Sequence, residues 1–249
     1  MRKESNIDKN FFAGVKFEDF GLAGGRIRFP VRCYDYSMIV AAFPAPAEKV
    51  QKVLPSNKMK PVEIMPDTAA VALVATEYGR IDDFAPYNEF VIMVSVMYEA
   101  DNAPGLHGYY VLHQPVTTEE ARGRGVEIYG YPKFKAEISF EDVAEIRRCH
   151  VRADGRDIIT LEVKKLVTEP LSWDMYFYTV KSRQLLRSLV QGQGQQGVSG
   201  DREDASYTLG NHPIAEGLRA LGMDKLSVLH RYAPHWQSMA HLPGEHLPL

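Results

Sequence analysis

The spacing of hydrophobic and polar positions changes several times along the chain. Between Ala69 and Val116 lie three apolar runs, "AAVALVATEY", "NEFVIMVSVMYE" and "HGYYVLHQPV". They are rich in Val, Ile and Tyr, are bounded by Gly, Pro, Asp and Asn, and read as strands. In "RRCHVRADGRDIITLEVKK" two alternating runs flank Asp154-Gly155. That pair favours a two-residue hairpin turn, whose central residues both have positive φ. "PAPAEKVQKVLP" (Pro44–Pro55) predicts a short helix, with Ala47, Val50 and Val53/Leu54 on one face and a proline at each end. "NHPIAEGLRALG" predicts another, with Asn211 as cap, Pro213 in the first turn and Gly222 as the stop.

Other segments are less distinct. In "KSRQLLRSLVQ" the spacing of Leu185, Leu186, Leu189 and Val190 suits a helix, yet "MYFYTV" just before it alternates like a strand. Residues 1–30, rich in Phe and Gly, read as an irregular lead-in, "EEARGRG" as a solvated turn, and "VSGDREDAS" as a polar loop. No repeat or low-complexity linker divides the chain, so residues 1–249 read as a single α+β domain. With many strands and a few short helices, the expected architecture is a predominantly antiparallel curved β-barrel or cone, since curvature toward closure removes exposed edges.

Composition narrows the function classes. Hydrophobic residues make up 45% and charged residues 24%, as in ordinary globular proteins. The net charge of −3, without a basic block, argues against nucleic acid as a partner. "MRKESNIDKNFFAG" lacks the apolar run of a secretory signal, and no window approaches the roughly 18 apolar residues that span a bilayer, so no membrane role is expected. Cys33 and Cys149, far apart and in no metal-binding spacing, read as reduced buried thiols of a cytoplasmic protein. The eight histidines are scattered, and nothing argues for a metal.

The chemistry concentrates in "GVEIYGYPKFKAEIS" (Gly125–Ser139), where a Gly-Tyr-Pro corner leads directly into Lys133. A lysine is a nucleophile only as the free amine, a minute fraction at neutral pH for an amine of pKa about 10.4. Burial disfavours the ammonium, and Tyr129, Tyr131, Pro132 and Phe134 are suitable neighbours for that purpose. Two readings stand on these residues: a solvated lysine beside a loop proline, or an amine held to attack a ketone and use the resulting iminium as an electron sink.

"GVEIYGYPKFKAEI" resembles the signature of the acetoacetate decarboxylase family, with a Gly-x-Glu at Gly125 and Glu127 and an aromatic-Pro-Lys ending at Lys133. "YNE" (Tyr87–Glu89), "VTTEEARGRG", "LGNHPIAEGLRAL" and "MAHLPGEHL" extend the resemblance over roughly residues 30–249. It implies Lys133 as the Schiff-base lysine and Glu89 as a proton donor or orienting carboxylate. It also implies a small keto-acid substrate, no cofactor, a homo-oligomer, and a strand rather than a helix over "YTVKSRQLLRSLVQ". Arg32 is a candidate for the substrate carboxylate, Gln114 for a keto oxygen, and Tyr131 for the pocket wall, while Glu127 would brace the corner.

Three positions depart from the family pattern: Phe134 replaces a second lysine, Val74 stands where a glutamate is expected, and Tyr34 where an arginine is expected. Lys135, Glu77 and Arg32 lie nearby but out of register. The expected activity is decarboxylation of a β-keto acid, with a substrate larger than acetoacetate or differently functionalised. Aldol or dehydration chemistry on a pyruvate-like keto acid, and a non-catalytic barrel binding a small ligand, are the alternatives.

Overall fold

A computed structural model describes residues 9–22, 25–99 and 104–249. A 3-10 turn at Lys9–Phe12 precedes the hairpin β1 (Glu18–Leu22) and β2 (Gly25–Phe29). The expected irregular lead-in is therefore corrected from residue 9 onward; its residues 1–8 lie outside the described residues. In β2 the buried Ile27 and Phe29 alternate with exposed Arg26 and Arg28, a period-2 signal too short to stand out in the sequence.

The long strands follow. They are β3 (Val31–Pro46), β6 (Thr68–Ile81), β7 (Tyr87–Tyr98), β8 (Leu106–Val116), β13 (Glu169–Lys181), β14 (Gln184–Ser199) and β16 (Leu229–Leu247). Pairing runs β7–β6–β3–β16–β14–β13–β8, and β8 also pairs with β7. The β8–β13 seam is parallel and holds two registered pairs, so the sheet is a curved cone rather than a regular closed barrel. The short strands β4 (Met59–Pro61), β5 (Glu63–Met65) and β9 (Lys133–Lys135) attach to it through β7, β6 and β8 respectively. A second, antiparallel sheet comprises β10 (Glu137–Val143), β11 (Ile146–Ala153), β12 (Arg156–Lys164) and β15 (Ala205–Leu209).

The cone strands have two apolar faces. One face, with Ile39, Phe43, Leu73, Phe90 and Ile92, packs into the main core with Cys149, Ile159 and Leu161 of the second sheet. The other face looks into the cone and lines a cavity. For this reason runs such as "AAVALVATEY" are almost continuously apolar instead of alternating.

Three helices, α1 (Ala47–Gln51), α2 (Glu119–Tyr129) and α3 (Pro213–Leu221), complete the described structure. Helix α1 is shorter than the expected Pro44–Pro55: Pro44 to Pro46 belong to β3, and Val53 is exposed. Helix α3 has the expected Pro213 start and Gly222 stop at φ +68°, but its cap is His212, whose Nδ1 accepts from Ile214 N, rather than Asn211. The hairpin turn forms at Asp154 and Gly155 with φ of 51° and 70°. The "KSRQLLRSLVQ" segment is strand β14, as the resemblance implied, and the polar loop narrows to residues 200–204.

Candidate active site

The segment expected as a solvated turn, "EEARGRG", is the first half of α2, and it builds the site. Thr118 caps the helix, its hydroxyl accepting from Ala121 N at 3.3 Å. Ala121, Gly125, Ile128 and Tyr129 form the buried face. Two of these are small and the helix holds two glycines, so the apolar stripe that marks a helix in sequence is faint. Gly130 ends the helix at φ +64°, with its N–H donating to Val126 O. Lys181 and Thr179 of β13 donate to the carbonyls of Glu127 and Tyr129, a cation and a hydroxyl satisfying the helix C-terminus.

The chain then turns within three residues. Tyr131 N donates to Gly125 O at 3.3 Å, Lys133 N to Tyr131 O at 2.7 Å, and Gln114 N to Pro132 O at 3.2 Å. These bonds fix the direction in which the Lys133 side chain leaves β9. Its stem crosses directly over Gly125, where a Cβ would lie 2.6 Å from Lys133 Cδ and 2.8 Å from Cε. The glycine of the Gly-x-Glu signature is thus explained by close approach of a side chain, not by an unusual φ.

Lys133 Nζ donates to Glu89 Oε2 at 2.7 Å. Both side chains are sealed, with 7% and 6% of their surface exposed. Glu89 sits in β7 opposite Thr76 of β6 and Val116 of β8. Nζ also lies 5.5 Å from the Tyr131 ring centre and 5.7 Å from that of Tyr87. Burial first, and the Glu89 carboxylate second, push the phenols of Tyr78, Tyr87 and Tyr131 well up, so all three are neutral hydrogen-bond donors at physiological pH. Cys33, also on the cavity wall, is pushed up to about 12 by burial.

The pair faces a cavity of about 700 Å³ inside the cone. Gln114 reaches it, while His113 points away toward His212 and burial lowers its pKa. The Gln114 Oε1 and the Tyr129 hydroxyl are buried without a hydrogen-bond partner. A buried acceptor and a buried hydroxyl left open beside an amine can receive a polar substrate group at little desolvation cost.

Of the residues expected in the site, the structure brings together Lys133, Glu89, Gln114 and Tyr131. It does not bring Arg32. Val31 and Cys33 face the cavity and strand alternation turns Arg32 outward. There its Nε and Nη2 donate to the two Asp82 oxygens, each at 3.0 Å, and Tyr34 donates to the same carboxylate at 2.7 Å. The arginine fork is therefore occupied, and Arg32 lies outside the cavity that holds the other four.

Neither Glu77 nor Lys135 substitutes for the missing family residues. Glu77 is bonded to Arg147 at 2.7 Å away from the cavity, and Lys135 is exposed. Phe134 packs against the main core on the face opposite Lys133. Sequence reasoning missed Arg124, which lines the cavity one turn before Ile128, paired with Glu120 at 2.7 Å and lying 4.4 Å from the Phe84 ring centre. The Glu120/Arg124 spacing on a helix was the available signal. No cluster of three or more His, Cys, Asp or Glu suited to a metal occurs among the described residues. Nor is any helix among them long and apolar enough to cross a membrane.

Comparison with known proteins agrees with this architecture. The family model for acetoacetate decarboxylase (ADC) matches residues 23–225. Among solved structures, an acetoacetate decarboxylase from Legionella pneumophila subsp. pneumophila str. Philadelphia 1 superposes with a TM-score of 0.67 at 16% identity, covering 99% of this chain and 97% of that one. The enduracididine biosynthesis enzyme MppR complexed with pyruvate has a TM-score of 0.60 at 13% identity, covering 92% and 99%. An acetoacetate decarboxylase-like enzyme from Sphingomonas wittichii RW1 has 0.58 at 14%, covering 89% and 94%. No curated protein sequence matches the chain.

Proposed function

Because the chain belongs to the acetoacetate decarboxylase family, we propose that it is a carbon–carbon lyase that decarboxylates a β-keto acid through a Schiff base on Lys133. The observation that carries this reading is the sealed Lys133–Glu89 pair at 2.7 Å on the wall of a substrate-sized cavity. A surface lysine needs no such partner, and a purely apolar trap gains nothing from burying two charges, which costs several kcal/mol per ion before pairing.

The proposed steps use this pair. Glu89 takes a proton from the Lys133 ammonium, and the free amine adds to the keto carbon. One proton passes from the new ammonium nitrogen to the alkoxide to give the carbinolamine, and the protonated Glu89 gives its proton to that hydroxyl, which leaves as water and gives the iminium. The bond to the carboxylate carbon then breaks, its electron pair moves to the iminium nitrogen, and CO₂ departs. Solvent supplies one proton, delivered by Glu89 to the enamine carbon, and water hydrolyses the new iminium to the methyl ketone and the lysine ammonium. Proton delivery by a positioned carboxyl group is ordinarily worth about 10²–10⁴ in rate. The Gln114 Oε1 accepts from the carbinolamine hydroxyl, and the aromatic rings of Tyr87 and Tyr131 flank the cationic nitrogen.

The likeness to MppR, solved with pyruvate, favours a second reading, aldol or dehydration chemistry through the same iminium. An α-keto acid keeps its carboxylate throughout that chemistry and needs a cation to hold it, but the Arg32 fork is filled by Asp82 and Arg124 on the cavity wall is engaged by Glu120 and the Asp83 carbonyl. Decarboxylation discards the carboxylate and has no such need.

The test is reduction with sodium borohydride in the presence of acetoacetate, followed by peptide mass mapping. Irreversible mass gain on Lys133, absent in Lys133→Ala, supports the Schiff base. Labelling elsewhere, or none with turnover present, defeats it.

A further inference from the structure

The cavity extends well beyond what a four-carbon keto acid occupies. Its volume of about 700 Å³ falls in the range that encloses drug-sized ligands, about 300–1,000 Å³. The strand register shows how that space is arranged. Glu89 belongs to a rung with Thr76 and Met38, and all three line the cavity. Two residues along, the next inward-facing rung is Val40, Val74 and Val91. Two further on it is Ala42, Ala72, Met93 and Val111, four neighbouring strands each presenting an apolar side chain to the interior.

Val74, where the family pattern leads one to expect a glutamate, is part of this lining. At about 3.4 Å per residue the third rung lies roughly 14 Å from Glu89. The space beyond ends at Ile64 and Met65 of β5, both exposed apolar residues. Met175 and Phe177 of β13 close the opposite wall.

Two polar groups of this half have partners within the protein. Ser95 is bonded to His107 at 2.9 Å, and Arg231 on the far wall donates to Gln196 Oε1 at 3.5 Å. The buried polar groups left open on cavity-lining residues, Gln114 Oε1, the Tyr129 hydroxyl and Trp173 Nε1, belong to the half that holds Lys133.

Resting on the Schiff-base reading, we infer that the substrate is a β-keto acid bearing an unbranched apolar chain. The keto carbon sits at Lys133 and the chain runs along the Val74 and Ala72 rungs. An extended chain advances about 1.3 Å per methylene from ordinary carbon–carbon bond geometry, so roughly ten carbons reach the third rung. The reaction is the same balanced decarboxylation, giving CO₂ and a long-chain methyl ketone. A reaction that releases free 3-oxo acids from activated acyl precursors must supply the substrate.

The experiment compares kcat/KM for acetoacetate, 3-oxohexanoate, 3-oxodecanoate and an ω-carboxylated analogue of the last, using the whole chain. Borohydride trapping on Lys133 is read in parallel. Each fully buried methylene is worth about fourfold, so 3-oxodecanoate should exceed acetoacetate by about 60-fold even if only three of its six extra carbons are buried. Val74→Phe, on the rung about 7 Å from Glu89 that a seven-carbon chain must pass, should collapse that ratio toward unity; the parent series decides the matter if the variant does not fold.

A flat or falling series with Lys133 still trapped overturns the chain assignment and leaves the Schiff base standing. So does a preference for the ω-carboxylated acid, which would give the distal site to Arg231. Absence of trapping with every acid defeats the Schiff-base reading and this inference with it.

Discussion

Gly125→Ala separates a catalytic from a structural account of the signature. Gly125 lies inside α2, outside the positive-φ region, so alanine suits its backbone and should favour the helix by about 0.8–1.0 kcal/mol. The added Cβ, however, would stand 2.6 Å from Lys133 Cδ, 2.8 Å from Cε and 3.1 Å from Nζ. Ordinary carbon contacts need about 3.5–4.0 Å, so the lysine stem must retreat by roughly 1 Å. The obstacle is the far end of a flexible side chain, and folding loses little.

The amine, in contrast, loses its placement against Glu89, now 2.7 Å away. Misplacement of about 1 Å ordinarily costs on the order of 10²-fold in rate. The expected variant therefore melts at the parent temperature or up to about 2–4 °C above it, the shift that about 1 kcal/mol produces in a chain of this size. Its kcat falls about a hundredfold, and borohydride trapping on Lys133 slows in step. The assays are a circular-dichroism melt and CO₂ release from the best β-keto acid substrate. A variant with kcat within threefold of the parent would show that the Gly125–Lys133 contact does not set the amine. A variant that fails to fold would show that the glycine serves packing alone.

Lys133→Ala should reduce CO₂ release to background. It should also lower the denaturation midpoint, because the Glu89 carboxylate is left buried without its partner, a loss of about 3–5 kcal/mol in a fully dry site and less beside a cavity. Adding Glu89→Gln to Lys133→Met should recover much of that loss in urea unfolding. Glu89→Gln alone should keep the fold and lower kcat by about 10²–10⁴; unchanged kcat would remove Glu89 from the proton path.

Asp82 gives a pH effect. Burial alone would raise its pKa, but hydrogen bonds from Arg32 and Tyr34 outweigh this and hold it below the usual carboxylate value. Its stabilising contribution is present above about pH 3.9 and is lost as pH falls through the lowered folded value. In urea melts between pH 6 and pH 3, Asp82→Asn should flatten part of the acid loss; an unchanged pH profile would count against the Arg32–Asp82 lock. With burial pushing its thiol up to about 12, Cys33 should resist iodoacetamide at pH 8 in the native protein, and rapid labelling would contradict its burial.

Local signals in the sequence determined a good deal. Apolar runs bounded by turn residues fixed β6, β7 and β8, because strand preference and burial on two faces act on the same residues. Asp154-Gly155 fixed a hairpin through the backbone freedom of two residues, and the Tyr131-Pro132-Lys133 corner marked the amine. Elements whose packing uses small or sparse side chains left no comparable pattern. The β1–β2 hairpin is only five residues a strand and reads in the sequence as part of an irregular lead-in, while α2 buries Ala121 and Gly125 and its first half reads as a solvated turn.

What only the tertiary structure decided was which distant residues meet. Glu89 and Lys133 are 44 positions apart and reach 2.7 Å because β7 and β9 both flank β8. Arg32 and Asp82, 50 positions apart, bind each other outside the cone, and that pairing occupies an arginine which its place in the sequence offered to the substrate. Strand alternation confines each side chain to one of two faces. Which face encloses a cavity and which packs a core depends on the curvature of the whole sheet, a property of long-range pairing that no window of sequence contains.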